Sequence, residues 1–182
     1  YVAKYSVYYD VVLMSPTGMV LARLDSENPV SKSHDAIVKE TLNTTQAYVE
    51  SFKYHDFIPD RPNSLVYSYK VTASDDVDSE VIGVLALCFR FRDEMKAIFS
   101  NLVNPDTKEC ITLLDSDGIV IATSDENHIP RGVELEMVLD KPRDIVTFGG
   151  RDYMAKTKST QGYQDFFGLG WYGHIMIPLD YA

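Results

Sequence analysis

A segment near the start of the chain recurs one hundred residues further on. Residues 10–25 read DVVLMSPTGMVLARLD, and residues 110–125 read CITLLDSDGIVIATSD. At this constant offset five pairs of residues are identical: Leu13/Leu113, Gly18/Gly118, Val20/Val120, Ala22/Ala122 and Asp25/Asp125. Each copy has to bury its own apolar face, so the recurrence predicts two similar units built in tandem.

Both copies have the pattern of a tight β-hairpin. An apolar run ends in a polar turn with glycine, SPTG at 15–18 and DSDG at 115–118, and a second apolar run follows at once. Glycine adopts a positive φ at little cost, and Ser or Asp at the first turn position can bond the backbone two residues on. The runs at 11–14 and 19–21 are almost continuously apolar, which favours central strands covered on both faces.

Helical spacing predicts three helices. The end of a longer helix before the first strand is indicated by three tyrosines on one face, Tyr1, Tyr5 and Tyr8. A second helix is expected to begin after Ser33 as its N-cap and to run to about Phe52. Its apolar face would consist of Val38, Leu42, Thr45, Val49 and Phe52. A third helix is predicted over residues 92–102 and would link the two halves.

The remaining pattern is that of strands and loops. Strands are predicted at 65–72, 81–91, 145–148, 152–157 and 171–179, with a short segment near 134–139. The stretch YHDFIPDRPNS at 54–64 contains two prolines and is expected to be a loop held near the sheet. The fold class that follows is α+β, with two antiparallel sheets flanked by helices or loops.

Composition and charge exclude several classes of protein. The 182 residues are 45% hydrophobic, and no apolar run reaches the roughly 18 residues that a membrane span needs. The net charge of −10 and the scattered lysines argue against nucleic acid as a partner. The chain starts at Tyr1 without an initiator methionine or a signal-peptide pattern, so we expect it to be part of a longer protein.

Known catalytic and metal-binding patterns are missing from the sequence. It contains no G-x-S-x-G, no P-loop and no H-x-x-x-H, so neither an enzyme site nor a metal or cofactor is predicted. GLGWYG at 168–173 fits the dinucleotide pattern G-x-G-x-x-G, but the β-rich run HIMIP follows where a helix is needed. Asp115-x-Asp117 resembles the start of a calcium loop, but Gly118 comes two positions too early, and we interpret it as the hairpin turn.

Three stretches together resemble the double Cache sensor regions of bacterial chemotaxis receptors and related transmembrane kinases and cyclases. They are the two hairpins, YHDFIPDRPNSLVYSYKV followed by VIGVLALCFRF, and the closing GYQDFFGLGWYGHIMIPLDYA. The resemblance covers nearly the whole chain. It implies two PAS-like subdomains, a membrane-distal one at 1–104 and a smaller membrane-proximal one at 105–182, behind an N-terminal helix that is truncated here.

The resemblance also implies a function. The chain would be the periplasmic part of an inner-membrane receptor, with membrane helices outside both ends, and would act as a homodimer rather than as an enzyme. A small molecule would bind in the distal subdomain and shift the helices that run to the membrane. A cytoplasmic PAS- or GAF-like regulatory module is the alternative, and an enzyme of uncertain type is a weaker third. Hydrophobic spans on both sides of the full-length chain would favour the receptor.

The amino-acid-binding version of this family pairs an Asp, soon after the glycine of the last distal strand, with the ligand amine. Counting from Gly83, Cys88 stands at that position, and no Trp lies between Tyr48 and Tyr69. This departs from the amino-acid pattern. An organic anion stays open as the ligand, because the guanidinium of Arg61 in the loop over the expected pocket can hold a carboxylate.

Five residues are therefore candidate ligand contacts: Arg23, Asp56, Arg61, Tyr67 and Tyr69. Each also has an ordinary structural explanation. Arg61 could pair with Asp56 or Asp60 instead of a ligand. Tyr67 and Tyr69 share one strand face by period two and could line a cavity or pack in the core. Arg23 could be a solvated strand end, and the neighbours His55 and Asp56 could point apart.

Overall fold

The computed structural model describes residues 7–61, 63–76, 79–104, 106–161 and 168–181. It divides into two compact units, Tyr1–Phe91 and Arg92–Ala182. The predicted N-terminal helix falls mostly on residues outside the described ones, and Tyr8 already belongs to the first strand. The closing motif at 162–182 is described only from residue 168 to residue 181.

The first unit is a five-stranded antiparallel sheet with one helix. Its elements are β1 (Tyr8–Met14), β2 (Val20–Arg23), α1 (Ala36–Asn43), β3 (Val49–Lys53), β4 (Ser64–Thr72) and β5 (Val81–Phe89). The strand order is β2-β1-β5-β4-β3, and every neighbouring pair is antiparallel. The last strand of the unit, β5, therefore lies in the middle of the sheet, between β1 and β4.

The second unit repeats this sheet. Helix α2 (Phe91–Leu102) leads into it, and its elements are β6 (Cys110–Leu114), β7 (Val120–Thr123), β8 (Asp144–Phe148), β9 (Arg151–Ser159), β10 (Tyr172–Pro178) and a short 3-10 helix (Leu179–Tyr181). The order β7-β6-β10-β9-β8 is the order of the first sheet shifted by five strands. The predicted α+β fold of two similar antiparallel sheets is confirmed. Strand β10 begins at Tyr172, within GLGWYG, and includes HIMIP, so a strand lies where the dinucleotide pattern needs a helix.

The two hairpins agree in detail. Gly18 and Gly118 have φ of +81° and +82°, which only glycine adopts readily. Both glycines also lie against another part of the backbone: a Cβ on Gly18 would be 2.2 Å from the carbonyl oxygen of Ser33, and one on Gly118 would be 2.8 Å from that of Leu135. The same glycines accept hydrogen bonds from the amides of Ser33 and Leu135. The turn therefore fixes the path of the chain after each hairpin.

The second predicted helix is shorter than expected. The helix runs over Ala36–Asn43, and Asp35 rather than Ser33 is its N-cap, with its carboxylate accepting the amide of Ile37. At Thr44 the backbone is extended, with ψ of 145°. The prediction of helix down to Phe52 is wrong, because residues 49–53 instead form β3 and pair with β4.

Burial along β1 alternates, which corrects the expectation that both of its faces are covered. Val12 and Met14 are fully buried, whereas Val11 and Leu13 are only half-buried. We call the face that carries Val12 and Met14 the inner face of the first sheet, and the opposite one the outer face. The inner face and α1 enclose the core of this unit.

The corresponding connection in the second unit has no helix. All of residues 124–143 are described, and the segment near 134–139 has no regular structure beyond the bridge between Glu134 and Ile119. Leu135 and Val138 nevertheless belong to the core of that unit. Within the described residues, no helix is both long and apolar enough to cross a membrane.

Candidate ligand site in the first unit

A buried ion pair occupies one end of the inner face. The ladder between β1 and β5 shifts register between Tyr8 and Asp10, and it places Asp10 opposite Cys88. Asp10 is fully buried and pairs with Arg23. Its other oxygen accepts the backbone N–H groups of Val11, Leu24 and Asp25 at 2.9, 3.1 and 2.9 Å. The charge of Asp10 is thus satisfied by one guanidinium and three amides.

Arg23 connects this pair to the loop that follows β3. Besides Asp10, its guanidinium donates to the carbonyl oxygens of Val30 and Phe57, at 3.4 and 3.1 Å. Asn28 donates its side-chain amide to the same carbonyl of Phe57, also at 3.1 Å. Two donors from the segment after β1 therefore converge on one carbonyl oxygen of the loop.

The loop itself fills the space between α1 and the inner face. Phe57 is fully buried and Ile58 is 3% exposed, and both belong to the same core as Val12, Val66 and Ala86. We call residues 55–58 the plug segment. The place under the loop, where the sequence predicts a pocket, is thus occupied by the chain's own side chains.

Two contacts, each with a carboxylate, hold the plug segment at its start. Nδ1 of the fully buried His55 lies 3.0 Å from Asp35, the N-cap of α1. The next residue, Asp56, accepts hydrogen bonds from the hydroxyl of Ser33 at 2.5 Å and from the backbone N–H of His34 at 2.7 Å. The neighbours His55 and Asp56 therefore have different partners.

The charge state of Asp35 follows from these contacts. Burial works to raise the pKa of Asp35, but the hydrogen bonds with His55 and with the amide of Ile37 outweigh it and lower the pKa below its usual value. Asp35 is therefore a carboxylate near neutral pH. The second ring nitrogen of His55 is buried and has no hydrogen-bond partner in the described part of the chain.

Cys88 is the residue that the count from Gly83 matches to the Asp of the amino-acid-binding pattern. It is fully buried, and burial together with the nearby charge of Asp10 raises the pKa of its thiol to about 12. A neutral thiol offers no charge to a ligand amine. The nearest carboxylate, Asp10, is already fully engaged.

Arg61 is exposed at the edge of this region. Its guanidinium lies over the ring of Tyr9, 3.9 Å from the ring centre, which is a cation–π contact. The hydroxyl of Tyr9 donates to Ser64 at 3.1 Å, and burial raises the pKa of Tyr9. Tyr9 directly precedes Asp10, so Arg61 and the pair of Asp10 with Arg23 lie at the same end of β1.

The two candidate tyrosines lie elsewhere. Tyr67 pairs with Leu87 and Tyr69 with Leu85 across β4 and β5, which places both on the outer face. Tyr48 contacts both rings, with centres 6.1 and 5.7 Å away. The structure thus brings Arg23, Asp56 and Arg61 to the loop region and separates Tyr67 and Tyr69 from them.

The outer face has a shallow cavity of about 400 Å³ near β2. It is lined by Val11, Leu13, Ala22, Arg23, Leu24 and Leu85. The lining is almost entirely apolar, and the one charged side chain in it, Arg23, is paired with Asp10. This cavity therefore lacks the convergent polar groups that orient a small polar ligand.

The second unit has a different polar group inside its sheet. His174 is 1% exposed, and its Nδ1 lies 2.7 Å from the hydroxyl of Thr157, which accepts the amide of Val138. At the position of Asp10 this unit has Cys110, whose sulfur contacts Thr123 at 3.6 Å. The ion pair is therefore a feature of the first copy. No metal-binding group of His, Cys, Asp and Glu occurs among the described residues of either unit.

Sequence reasoning missed Asp10, Asn28 and the inward position of Phe57. One signal was available for Asp10: it is a single carboxylate directly before the apolar run VVLM, and its repeat counterpart is the apolar Cys110. No local signal distinguishes Asn28 or Phe57 from ordinary loop residues.

Comparison with known proteins identifies the fold. No protein-family model and no curated protein sequence matches the chain. Among solved structures, the sensor domain of the histidine kinase DctB of V. cholerae has a TM-score of 0.62 at 13% identity, over 94% of this chain and 72% of that one. The ligand-binding domain of the Pseudomonas fluorescens chemoreceptor CtaA, in complex with L-leucine, has a TM-score of 0.63 at 14% identity, over 99% and 75%.

A third structure, the ligand-binding domain of the Pseudomonas aeruginosa amino acid chemoreceptor PctC with GABA, has a TM-score of 0.64 at 15% identity, over 93% and 74%. These similar proteins are ligand-binding sensor domains of receptors and kinases. The fold of the chain is that of Cache sensory domains, two PAS-like sheets in tandem, as the resemblance implied.

Proposed function

We propose that the chain is the extracytoplasmic ligand-binding sensor domain of a transmembrane chemotaxis or signal-transduction receptor. The observation that carries this proposal is the extent of the structural similarity: 93% to 99% of the chain superposes on sensor domains that bind L-leucine or GABA. The similarity includes both sheets, so it concerns the whole arrangement and not one common PAS-like unit.

The first unit is the proposed ligand-binding half. Its connection between the second and third strands contains helix α1, whereas the described residues 124–143 of the second unit form no helix. Beneath α1 and the plug segment lies the buried pair of Asp10 and Arg23, and the second unit has Cys110 at the position of Asp10. The guanidinium of Arg61 is exposed over Tyr9 at this end of the sheet, whereas the charges of Arg23, Asp35 and Asp56 already have partners within the unit. That arrangement favours a small organic anion, and Cys88 in place of a carboxylate disfavours a ligand held by its amine.

Binding of small molecules tests the proposal. The purified 182-residue domain would be titrated by calorimetry with L-leucine, GABA, small organic acids, amines and nucleobases. We expect at least one compound to bind at a stoichiometry of one and to raise the melting temperature of the first unit. Saturable turnover of any compound, or no binding anywhere in the panel, would contradict a sensor role.

The placement in the cell has its own test. We expect the full-length protein to have membrane helices on both sides of this domain, with the domain in the periplasm and two copies in each receptor. Alkaline phosphatase fused after β10 in the full-length protein would then be active, and cysteine cross-linking in membranes would trap dimers. An inactive fusion would favour the cytoplasmic PAS- or GAF-like module.

A further inference from the structure

The plug segment combines two features of a bound small molecule. Its Phe57 carbonyl accepts two hydrogen bonds at 3.1 Å, one from the Arg23 guanidinium and one from the Asn28 amide. Its benzyl group is fully buried against the inner face. A polar oxygen held by a guanidinium and an amide, next to an apolar group in a hydrophobic site, is how proteins hold small carboxylates and acyl compounds.

The position of this segment is unusual for a loop. Connecting segments normally run over the surface, and their carbonyls face water. Here the loop between β3 and β4 sends Phe57 and Ile58 into the core, while Arg61, three residues on, is exposed again. The segment thus dips into the unit and leaves it within a few residues.

The contacts that hold the plug segment can be broken without opening the sheet. Besides the packing of Phe57 and Ile58 in the core, they are hydrogen bonds donated by Asn28, Arg23, Ser33 and the backbone N–H of His34, and the contact of His55 with the Asp35 carboxylate. None of them belongs to a β-ladder. Within the loop, the amides of Ile58 and Arg61 donate to the carbonyls of His55 and Ile58 at 3.1 and 3.2 Å. Release of the segment would therefore cost local contacts and leave the ladders of β1, β4 and β5 in place.

We propose that the plug segment is an internal competitor of the ligand: Phe57 occupies the ligand position of the first unit, and binding of a small acid with an apolar tail requires its release. This inference rests on the proposed sensor function. The ligand carboxylate takes over Arg23 and Asn28, and its apolar tail takes the place of the Phe57 ring. The ligand-induced change then begins as movement of residues 55–58.

The first experiment weakens the hold on Phe57. Asn28→Asp keeps the oxygen that accepts the Val30 amide at 3.0 Å, but it replaces the donor to the Phe57 carbonyl by a repelling oxygen. Asn43→Asp is the matched control, because Asn43 donates to the carbonyl of Lys39 at 2.9 Å, on α1 and away from the loop. We expect hydrogen exchange at the amides of Ile58 and Arg61 to become at least tenfold faster in Asn28→Asp alone. Equal exchange in the two variants would overturn the inference.

The second experiment removes the competitor. Phenylacetate, which carries a carboxylate and a benzyl group, is the probe. We expect it to bind Phe57→Ala at least tenfold more tightly than the wild type. Phe99→Ala, which removes another buried phenylalanine from α2, should bind it as the wild type does. Unchanged affinity in Phe57→Ala would contradict the proposal.

Wild-type protein provides a measurement that does not depend on a destabilised variant. With phenylacetate at saturation, the amides of Ile58 and Arg61 should exchange faster than in the free protein; slower or unchanged exchange would count against release. If a compound of the panel binds without changing hydrogen exchange in residues 55–58, this inference is contradicted and the proposed sensor function is not. Absence of binding to the wild type contradicts the sensor function, while the two variants still decide whether Phe57 is a competitor.

Discussion

The ion pair between Asp10 and Arg23 should be the most sensitive charged contact of the first unit. Arg23→Met leaves a fully buried carboxylate without its counter-ion, so we expect the free energy of unfolding to fall by about 3 kcal/mol or more. The double variant Asp10→Asn with Arg23→Met should lose less than the sum of the two single changes. Hydrogen exchange of the β1 and β5 amides, together with urea unfolding followed by circular dichroism, measures both effects.

An exposed ion pair is the control for this prediction. Lys141 pairs with Asp144 in the second unit, where both side chains are largely in water. Lys141→Met should leave unfolding unchanged, because exposed pairs contribute little. An equal decrease in the free energy of unfolding for Arg23→Met and Lys141→Met would show that burial of the first pair does not increase its contribution to stability.

The buried His174 should make the second unit sensitive to acid. Burial lowers its pKa from 6.5 to about 4. Above pH 6.5 it is neutral in both states. Between pH 6.5 and 4 the unfolded chain takes up a proton that the folded unit excludes. The free energy of unfolding therefore decreases as the pH is lowered, by about 3 kcal/mol from pH 6.5 to pH 4.

His174→Val should remove most of this pH dependence, because valine does not titrate and the first unit has Val84 at the matching place after its glycine. Urea unfolding followed by the fluorescence of Trp171, the single tryptophan of the chain, reports on the second unit. His128→Ala, a change at an exposed histidine of the same unit, should retain the wild-type slope. A pH dependence that persists in His174→Val would place its origin in other groups.

Single residues were the part of the site that sequence could predict least. The period of two correctly places Tyr67 and Tyr69 on one face, but which face depends on the order of the strands in the sheet. Arg23 was recognised as a candidate, but its partner Asp10 was not, because burial of that carboxylate requires the register shift beside Tyr9 and amides from the chain after β2. Such partners meet only in the folded unit.

At the scale of the element, the second unit has one glycine in the hairpin turn, Gly118, and one in the connection after β7, Gly132, and the two allow backbone strain to be separated from close packing. Gly118 and Gly132 have φ of +82° and +85°, but a Cβ on Gly118 would meet the Leu135 carbonyl oxygen at 2.8 Å, and a Cβ on Gly132 would meet nothing within 4 Å. Gly132→Ala should cost about 1 kcal/mol from backbone strain alone. Gly118→Ala should cost at least about 3 kcal/mol, because the chain at Leu135 must also move.

The same tryptophan signal compares the two glycine variants in urea. Gly18→Ala is expected to act on the first unit as Gly118→Ala acts on the second, since a Cβ there would lie 2.2 Å from the Ser33 carbonyl oxygen. Equal losses for Gly118→Ala and Gly132→Ala would mean that the contact with Leu135 does not constrain the turn.

The hairpins and the helix show what local sequence can and cannot decide about an element. Both hairpins were predicted because glycine and the polar turn residues act within four positions. The sequence prediction extended the helix too far because the spacing of Val49 and Phe52 also fits one face of a helix. These two residues form a strand because they pair with Ser68 and Leu65 of β4, which lie more than ten residues further along the chain.

At the scale of the whole molecule, the repeat was the most informative feature. It predicted two similar sheets, and both have the same strand order. It could not predict that the second unit would lack the helix between its second and third strands, because residues 26–43 and 126–143 share only one identical residue at this offset, the pair Val38/Val138. Copies of one fold thus diverge most in the segment that covers the sheet.

The boundary between the units gives the last prediction. The resemblance places it at 104/105, whereas contacts within the chain divide the units at 91/92 and assign most of α2 to the second. Phe99 of α2 is only 7% exposed, and the division at 91/92 assigns it to the second unit, so we expect a fragment that starts at residue 105 to lose apolar burial that this helix provides. We expect fragment 92–182 to unfold cooperatively in urea, with a higher midpoint than fragment 105–182, as followed by Trp171 fluorescence. Phe99→Ala in fragment 92–182 should move the midpoint toward that of the shorter fragment, whereas Lys96→Ala, a change at an exposed position of α2, should not. Equal midpoints for the two fragments would mean that α2 adds nothing to the second unit and that 104/105 is the better boundary.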